Sequence, residues 1–122
     1  MTSMIEKSAR EAASKDVEII VRNPQSGPEA IESFMDETTS TISIIREVIR
    51  PSLGEIDAVV IACFDDPGIY ALREILDIPV LGIGESSILV ALALGWKYSI
   101  LAVSEKAVPL MENMIFRYGL EK

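Results

Sequence analysis

The sequence predicts an α/β fold with a parallel sheet and helices on both faces. Short apolar runs rich in β-branched residues alternate with longer segments whose apolar positions recur at helical spacing, and this alternation is typical of βαβ units. The clearest strand, residues 57–63, is nearly all apolar, as expected for a strand buried on both faces of a parallel sheet. With 122 residues, of which 49% are apolar and 25% are charged, the chain suits one soluble domain with its own core.

Each element follows from its periodicity and from the turn residues that bound it. Helices are predicted over residues 3–14, 36–50, 66–76, 85–94 and 106–118, and strands over residues 17–22, 57–63, 78–83 and 98–104. Pro51, Gly95 and Gly119 mark helix ends, and Asp66 followed by Pro67 predicts an N-cap and a first-turn residue.

Composition excludes several classes of function. The net charge of −8 argues against binding to nucleic acid or to an anionic membrane through a basic surface. The longest apolar run, residues 88–94, is shorter than the roughly 20 residues of a membrane span, and the chain opens without a leader pattern, so a cytoplasmic location is expected. A single cysteine excludes an internal disulfide, and the absence of histidine argues against zinc and against histidine-activated nucleophiles.

The candidate site is the edge of the sheet where parallel strands end, because ligands bind there in open α/β sheets. Three predicted loops meet at this edge: NPQSGP, CFDDPG and GIGESS. A lone cysteine is most often a small buried hydrophobe, but Cys63 ends its strand just before a predicted helix, whose positive end favours a thiolate. Asp65 and Asp66 act in the opposite direction, so the sequence leaves the sign of the shift open. GIGESS lacks the spacing of a phosphate loop.

The stretch DAVVIACFDDPGIYALREILDIPVLGIGES resembles the first catalytic half of the aspartate/glutamate/hydantoin racemase superfamily, most closely its hydantoin branch. The similarity is carried by the Cys-Phe-x-Asp-Pro-Gly turn, by PVLGIGE after a helix and by SGPEAIESFMDE near the start. The tail from residue 97 is similar to the opening of the family's second domain. The resemblance therefore divides the chain into residues 1–96 and 97–122, with a flavodoxin-like three-layer arrangement in the first part.

The resemblance implies racemisation without a cofactor or metal, by two cysteines that exchange a proton on opposite faces of a carbon next to a carbonyl. Cys63 is then one acid/base group, and the substrate is a small molecule, most closely a 5-substituted hydantoin. Substrate binding is implied for Phe64, Asp65, Gly84 and Glu85, with the N–H groups of Phe64 and Asp65 as a possible oxyanion hole.

The chain departs from the family pattern at three places. Asp65 stands where the branch usually has glycine, the family's first strand would precede Met1, and its second cysteine would follow Lys122. We therefore expect a chain truncated at both ends, in which residues 98–104 fill the vacant strand position of their own or a neighbouring subunit, and we expect a homo-oligomer. The alternatives are an aspartate/glutamate or allantoin racemase of the same superfamily, or a non-catalytic α/β binding module.

Overall fold

Helices pack against one face of a short parallel sheet in the computed structural model, which describes residues 2–50 and 54–120. The helices and strands, in chain order, are α1 (Thr2–Ala12), α2 (Phe34–Val48), β1 (Val59–Ile61), α3 (Ile69–Ile75), β2 (Val80–Gly82), α4 (Ile83–Leu94) and α5 (Val108–Arg117). A 3₁₀ turn, Glu105–Ala107, leads into α5. The α/β class with a parallel sheet is confirmed.

The sheet pairs β1 with β2 in parallel, with α3 as the crossover between them. Val60 lies opposite Leu81, and both side chains are exposed, at 59% and 47%. Ile61 and Val80, whose side chains point to the other face, are buried. The expectation that residues 57–63 are buried on both faces is therefore wrong, because the Val60 face is uncovered among the described residues.

Two predicted strands are absent from the described part of the chain. Residues 17–22 and 98–104 form no strand, and residues 98–103 make no backbone–backbone hydrogen bond. A β-branched run becomes a strand only when a neighbouring strand satisfies its N–H and C=O groups. Residues 98–104 therefore do not fill a strand position in their own subunit, and that part of the expectation is wrong.

The five predicted helices are confirmed, with shifted ends. The largest shift is in α3, which begins at Ile69 with Gly68 as its N-cap, in the left-handed conformation at φ 79°. The prediction that Asp66 caps this helix is wrong, because the Asp66 carboxyl group accepts hydrogen bonds from the N–H groups of Gly84 and Glu85 instead. α2 begins after Ser33, whose hydroxyl accepts a hydrogen bond from the Asp36 N–H, a regular N-cap.

The core lies between the sheet and the helices α2 and α3. Ile61, Ile69, Leu72 and Val80 form one buried cluster, against which α2 packs its apolar face. α5 buries Leu110 and Met114, whereas α1 buries no side chain. No helix in residues 2–50 and 54–120 is long and apolar enough to cross a membrane.

Candidate active site

Cys63 lies in a double turn that joins β1 to α3. The N–H of Asp66 donates to the Cys63 carbonyl at 3.0 Å, and the N–H of Ile69 donates to the Asp66 carbonyl at 3.3 Å. Asp66 adopts a φ of 49°, a left-handed conformation that aspartate tolerates better than most residues. The turn holds the thiol at the carboxyl end of the sheet, where the sequence predicted the site.

The Asp66 side chain connects this turn to the start of α4. One carboxyl oxygen accepts the Gly84 N–H at 2.9 Å, and the other accepts the Glu85 N–H at 2.7 Å. These N–H groups belong to the first turn of α4, which has no carbonyl partner for them within the helix. Asp66 therefore caps α4 across space and not α3 along the chain.

Gly82 and Gly84 make this contact possible. A Cβ atom at Gly82 would overlap the Asp66 carboxyl group, and one at Gly84 would overlap the Phe64 carbonyl oxygen. The glycines of GIGESS thus let two loops touch, and the Asp66 side chain uses the N–H groups that a phosphate loop would offer to a ligand.

The last helix reaches the same point. The Tyr118 hydroxyl, just past α5, donates to the Asp66 Oδ2 atom at 2.9 Å. Burial and this hydrogen bond raise the pKa of the Tyr118 phenol. The Arg117 side chain lies 3.4 Å from the Glu37 carboxyl oxygen of α2. The end of α5 thus contacts the cysteine turn through Tyr118, while the assignment of residues 97–122 to a second domain stays a prediction.

The surroundings of Cys63 decide the question that the sequence left open. The thiol is free and half-buried. Burial raises its pKa, the Asp65 N–H lowers it, and the charges of Asp65, Asp66 and Glu37 raise it, so that the pKa is raised overall. The helix whose positive end was expected to favour a thiolate begins only at Ile69. The thiol form predominates at neutral pH.

Asp65 is the most unusual polar group of the turn. Its side chain is 3% exposed, and neither carboxyl oxygen has a hydrogen-bond partner among the described residues. Burial, the nearby Glu37 and Asp66 raise its pKa to about 7, and Arg117 only partly opposes this shift. Two residues from the thiol, a buried carboxyl group therefore changes its charge near neutral pH.

The other residues implied in substrate binding lie around this turn. The N–H groups of Phe64 and Asp65 donate to no backbone oxygen of the described residues, and the Asp65 N–H interacts with the Cys63 sulfur instead. The Gly84 N–H is taken by Asp66, and the Glu85 carboxyl group pairs with the Arg73 guanidinium at 3.1 and 3.0 Å. The structure brings these groups together, and their contact with a substrate stays a prediction.

Sequence reasoning missed the long-range partners of the turn. Asp66 was assigned to the nearest helix, and nothing in the local pattern indicates that Tyr118, 52 positions away, donates to it. The available signal was the glycine pair at positions 82 and 84, whose spacing allows the backbone of another loop to approach closely.

Comparisons with known proteins agree with this architecture. The family model described as Asp/Glu/Hydantoin racemase matches residues 1–122. The hydantoin racemases of Pseudomonas sp. (strain NS671) and Rhizobium meliloti are 39% and 33% identical over 122 residues, which are 49% and 51% of their lengths.

Solved structures show the same half-length similarity. Allantoin racemase from Klebsiella pneumoniae superposes with a TM-score of 0.92 at 28% identity, over 98% of this chain and 49% of that one. Allantoin racemase from Pseudomonas fluorescens gives 0.90 at 30% identity, over 99% and 51%. The chain spans about half the length of the relatives it matches, and it belongs to the Asp/Glu/hydantoin racemase family.

Proposed function

We propose that this chain carries one half of the two-base site of a cofactor-independent racemase that acts on 5-substituted hydantoins, with Cys63 as its acid/base group. The observation that carries the proposal is the position of the thiol, at the carboxyl end of the sheet and followed by the N–H groups of Phe64 and Asp65, neither of which donates to a backbone oxygen of the described residues. The hydantoin racemases at 39% and 33% identity support the same substrate class.

The chemistry needs little beyond a thiol and hydrogen-bond donors. The thiolate removes the proton from the carbon next to the carbonyl, and the electron pair moves to the carbonyl oxygen as an enolate. The N–H groups of Phe64 and Asp65 stabilise that oxygen. Inversion requires a second acid on the opposite face, and the 122 residues contain one cysteine, so this chain supplies one of the two thiols.

The raised pKa of the thiol assigns its resting role. At neutral pH Cys63 is mainly protonated, so it is ready to donate a proton to the enolate, and it acts as a base through the minor thiolate fraction. In the same proposal the Phe64 ring lies against the flat hydantoin. Asp65, Gly84 and Glu85 shape the loops on which the substrate rests.

The charges around the thiol favour a neutral substrate over a dicarboxylic amino acid. Asp65, Asp66 and Glu37 all raise the pKa of Cys63 through their charge, and they would repel a substrate carboxylate in the same way. Allantoin is the second candidate, because the TM-scores of 0.92 and 0.90 belong to allantoin racemases. Allantoin is itself a hydantoin with a polar substituent, so the proton transfer is the same.

The test is hydrogen exchange at the reacting carbon in D₂O. The purified chain is incubated separately with each enantiomer of 5-benzylhydantoin, of allantoin and of aspartate, and deuterium uptake and optical rotation are followed together. A single working thiol exchanges the proton of one enantiomer and returns deuterium to the same face. We expect Cys63-dependent exchange that prefers one hydantoin enantiomer, with little inversion.

Two variants complete the experiment. Cys63→Ser should reduce exchange to the uncatalysed rate, and Ala62→Ser, which adds the same hydroxyl at the exposed neighbouring position, should leave it unchanged. Exchange of allantoin alone would favour the second candidate. If no substrate exchanges above the uncatalysed rate, the chain is a binding module without catalytic activity.

A further inference from the structure

Tyr118 connects the cysteine turn to the helix that follows it. Its hydroxyl donates to the Asp66 Oδ2 atom at 2.9 Å, and the centroid of its ring lies 6.2 Å from that of Tyr70, with the two rings tilted by 47°. Tyr70 belongs to the first turn of α3. One half-buried side chain therefore contacts both the turn that carries Cys63 and the helix after it, and the attraction between the rings helps to hold the hydroxyl in place.

Asp66 depends on its side-chain partners because its backbone is strained. At φ 49° the residue is left-handed, a conformation that costs free energy for a residue with a Cβ atom and persists only where neighbouring groups hold it. The Asp66 N–H donates to the Cys63 carbonyl at 3.0 Å, so the backbone angles of Asp66 fix the turn in which the thiol lies. The hydrogen bonds to the Asp66 carboxyl group therefore affect the orientation of Cys63.

The three donors to the Asp66 carboxyl group come from two different elements. The N–H groups of Gly84 and Glu85 bind it to the start of α4, at 2.9 and 2.7 Å, and both remain when the tyrosine hydroxyl is removed. The Tyr118 hydroxyl shares the Oδ2 atom with the Glu85 N–H and comes from the end of α5. A carboxyl group that is held from two elements has less freedom than one held from α4 alone.

We propose that Tyr118 is a positioning residue for Cys63 and that it acts through Asp66. The inference rests on the proposed function, in which the thiol must face the carbon that loses its proton. Misplacement of a reacting group by about 1 Å can cost on the order of 100-fold in rate. The hydroxyl itself is bound to Asp66 and is not required to touch the substrate. Its loss should therefore lower kcat and leave KM unchanged.

Tyr118→Phe tests the proposal, because it keeps the ring beside Tyr70 and removes only the hydroxyl. In the D₂O exchange assay with the preferred enantiomer of 5-benzylhydantoin, kcat should fall on the order of tenfold, and KM should stay at the wild-type value. A second measurement follows the thiol without any substrate, because the coupling constants between the Hα and Hβ protons of Cys63 report its χ1 angle. They should indicate one rotamer in the wild type and an average of rotamers in Tyr118→Phe.

Tyr98→Phe is the matched control. It also removes the hydroxyl of a half-buried tyrosine from a hydrogen bond, at 2.6 Å to the Leu120 carbonyl, but its acceptor does not belong to the cysteine turn. We expect the kcat and the Cys63 coupling constants of Tyr98→Phe to match those of the wild type. Both variants should keep the wild-type circular dichroism.

The outcomes separate this proposal from the proposed function. Equal losses of kcat in the two variants, a change in KM alone for Tyr118→Phe, or coupling constants in Tyr118→Phe that equal those of the wild type would overturn the positioning role. If the wild type exchanges no hydantoin, the proposed function fails, and the coupling constants alone decide whether Tyr118 orients the thiol.

Discussion

Replacing Asp66 by alanine tests the cross-link between the cysteine turn and α4. The change removes the acceptor of three hydrogen bonds, from the Gly84 N–H, the Glu85 N–H and the Tyr118 hydroxyl. Because Asp66 is 2% exposed, water has little room to replace its oxygens. The donors are left without partners inside the protein.

The expected cost follows from those three donors. A buried donor left unsatisfied costs about 1–3 kcal/mol. Gly84 is buried, whereas Glu85 and Tyr118 are half-buried and regain part of their hydrogen bonding from water. We therefore expect the free energy of unfolding to fall by about 3–5 kcal/mol, which is a large part of the roughly 5–15 kcal/mol of a typical domain.

Urea denaturation followed by circular dichroism measures this loss. Asp57→Ala removes an exposed carboxyl group and should change stability by less than about 0.5 kcal/mol. Tyr118→Phe removes one of the three bonds and should cost about 1 kcal/mol, with much less effect once Asp66 is alanine. A loss no larger for Asp66→Ala than for Asp57→Ala would show that the cross-link does not hold the loops together.

Three further predictions concern the same region. Gly84→Ala should lower the free energy of unfolding by about 2 kcal/mol or more, because the new Cβ atom overlaps the Phe64 carbonyl oxygen. In the same denaturation assay Gly95→Ala should cost far less, because its Cβ atom meets only ordinary contacts. Burial raises the pKa of Asp65 from 3.8 to about 7, so the folded chain holds this proton more tightly than the unfolded chain. The free energy of unfolding should therefore fall by at most about 4 kcal/mol as pH rises from 4 to 7. The Asp65→Asn variant should lose this pH dependence, and an unchanged pH dependence would contradict the assignment. The Asp65 charge also raises the pKa of Cys63, so iodoacetamide should alkylate Cys63 several times faster in the Asp65→Asn variant than in the wild type at pH 8. An equal or slower rate in the variant would show that this charge does not act on the thiol.

The helices and strands that depend on local periodicity could be predicted from the sequence. Helical spacing located the five helices of the described residues, and the apolar runs at 57–63 and 78–83 located the two strands found there. Residues 17–22 and 98–104 have the same local pattern but lack a neighbour in the described chain, since pairing is a property of two segments and not of one.

The site shows the same division between local and distant causes. The position of Cys63 at the carboxyl end of β1 followed from chain order. The partners of Asp66 and the burial of Asp65 did not, because both depend on residues of α2, α4 and the region after α5 that converge only in the folded state. The sign of the thiol pKa shift depended mainly on the burial of Cys63 itself, which is why the sequence left it open.

The contact of Asp66 with the two glycines has a consequence for how this chain can vary. The carboxyl group at position 66 occupies the space that a side chain at 82 would need, and together with the Phe64 carbonyl oxygen it fills the space beside position 84, so the residues at 66, 82 and 84 depend on one another. A chimera with a relative that crosses over between residues 66 and 82 is expected to fold only when both parents carry compatible residues at all three. Exchange of the intervening α3 surface should be far better tolerated.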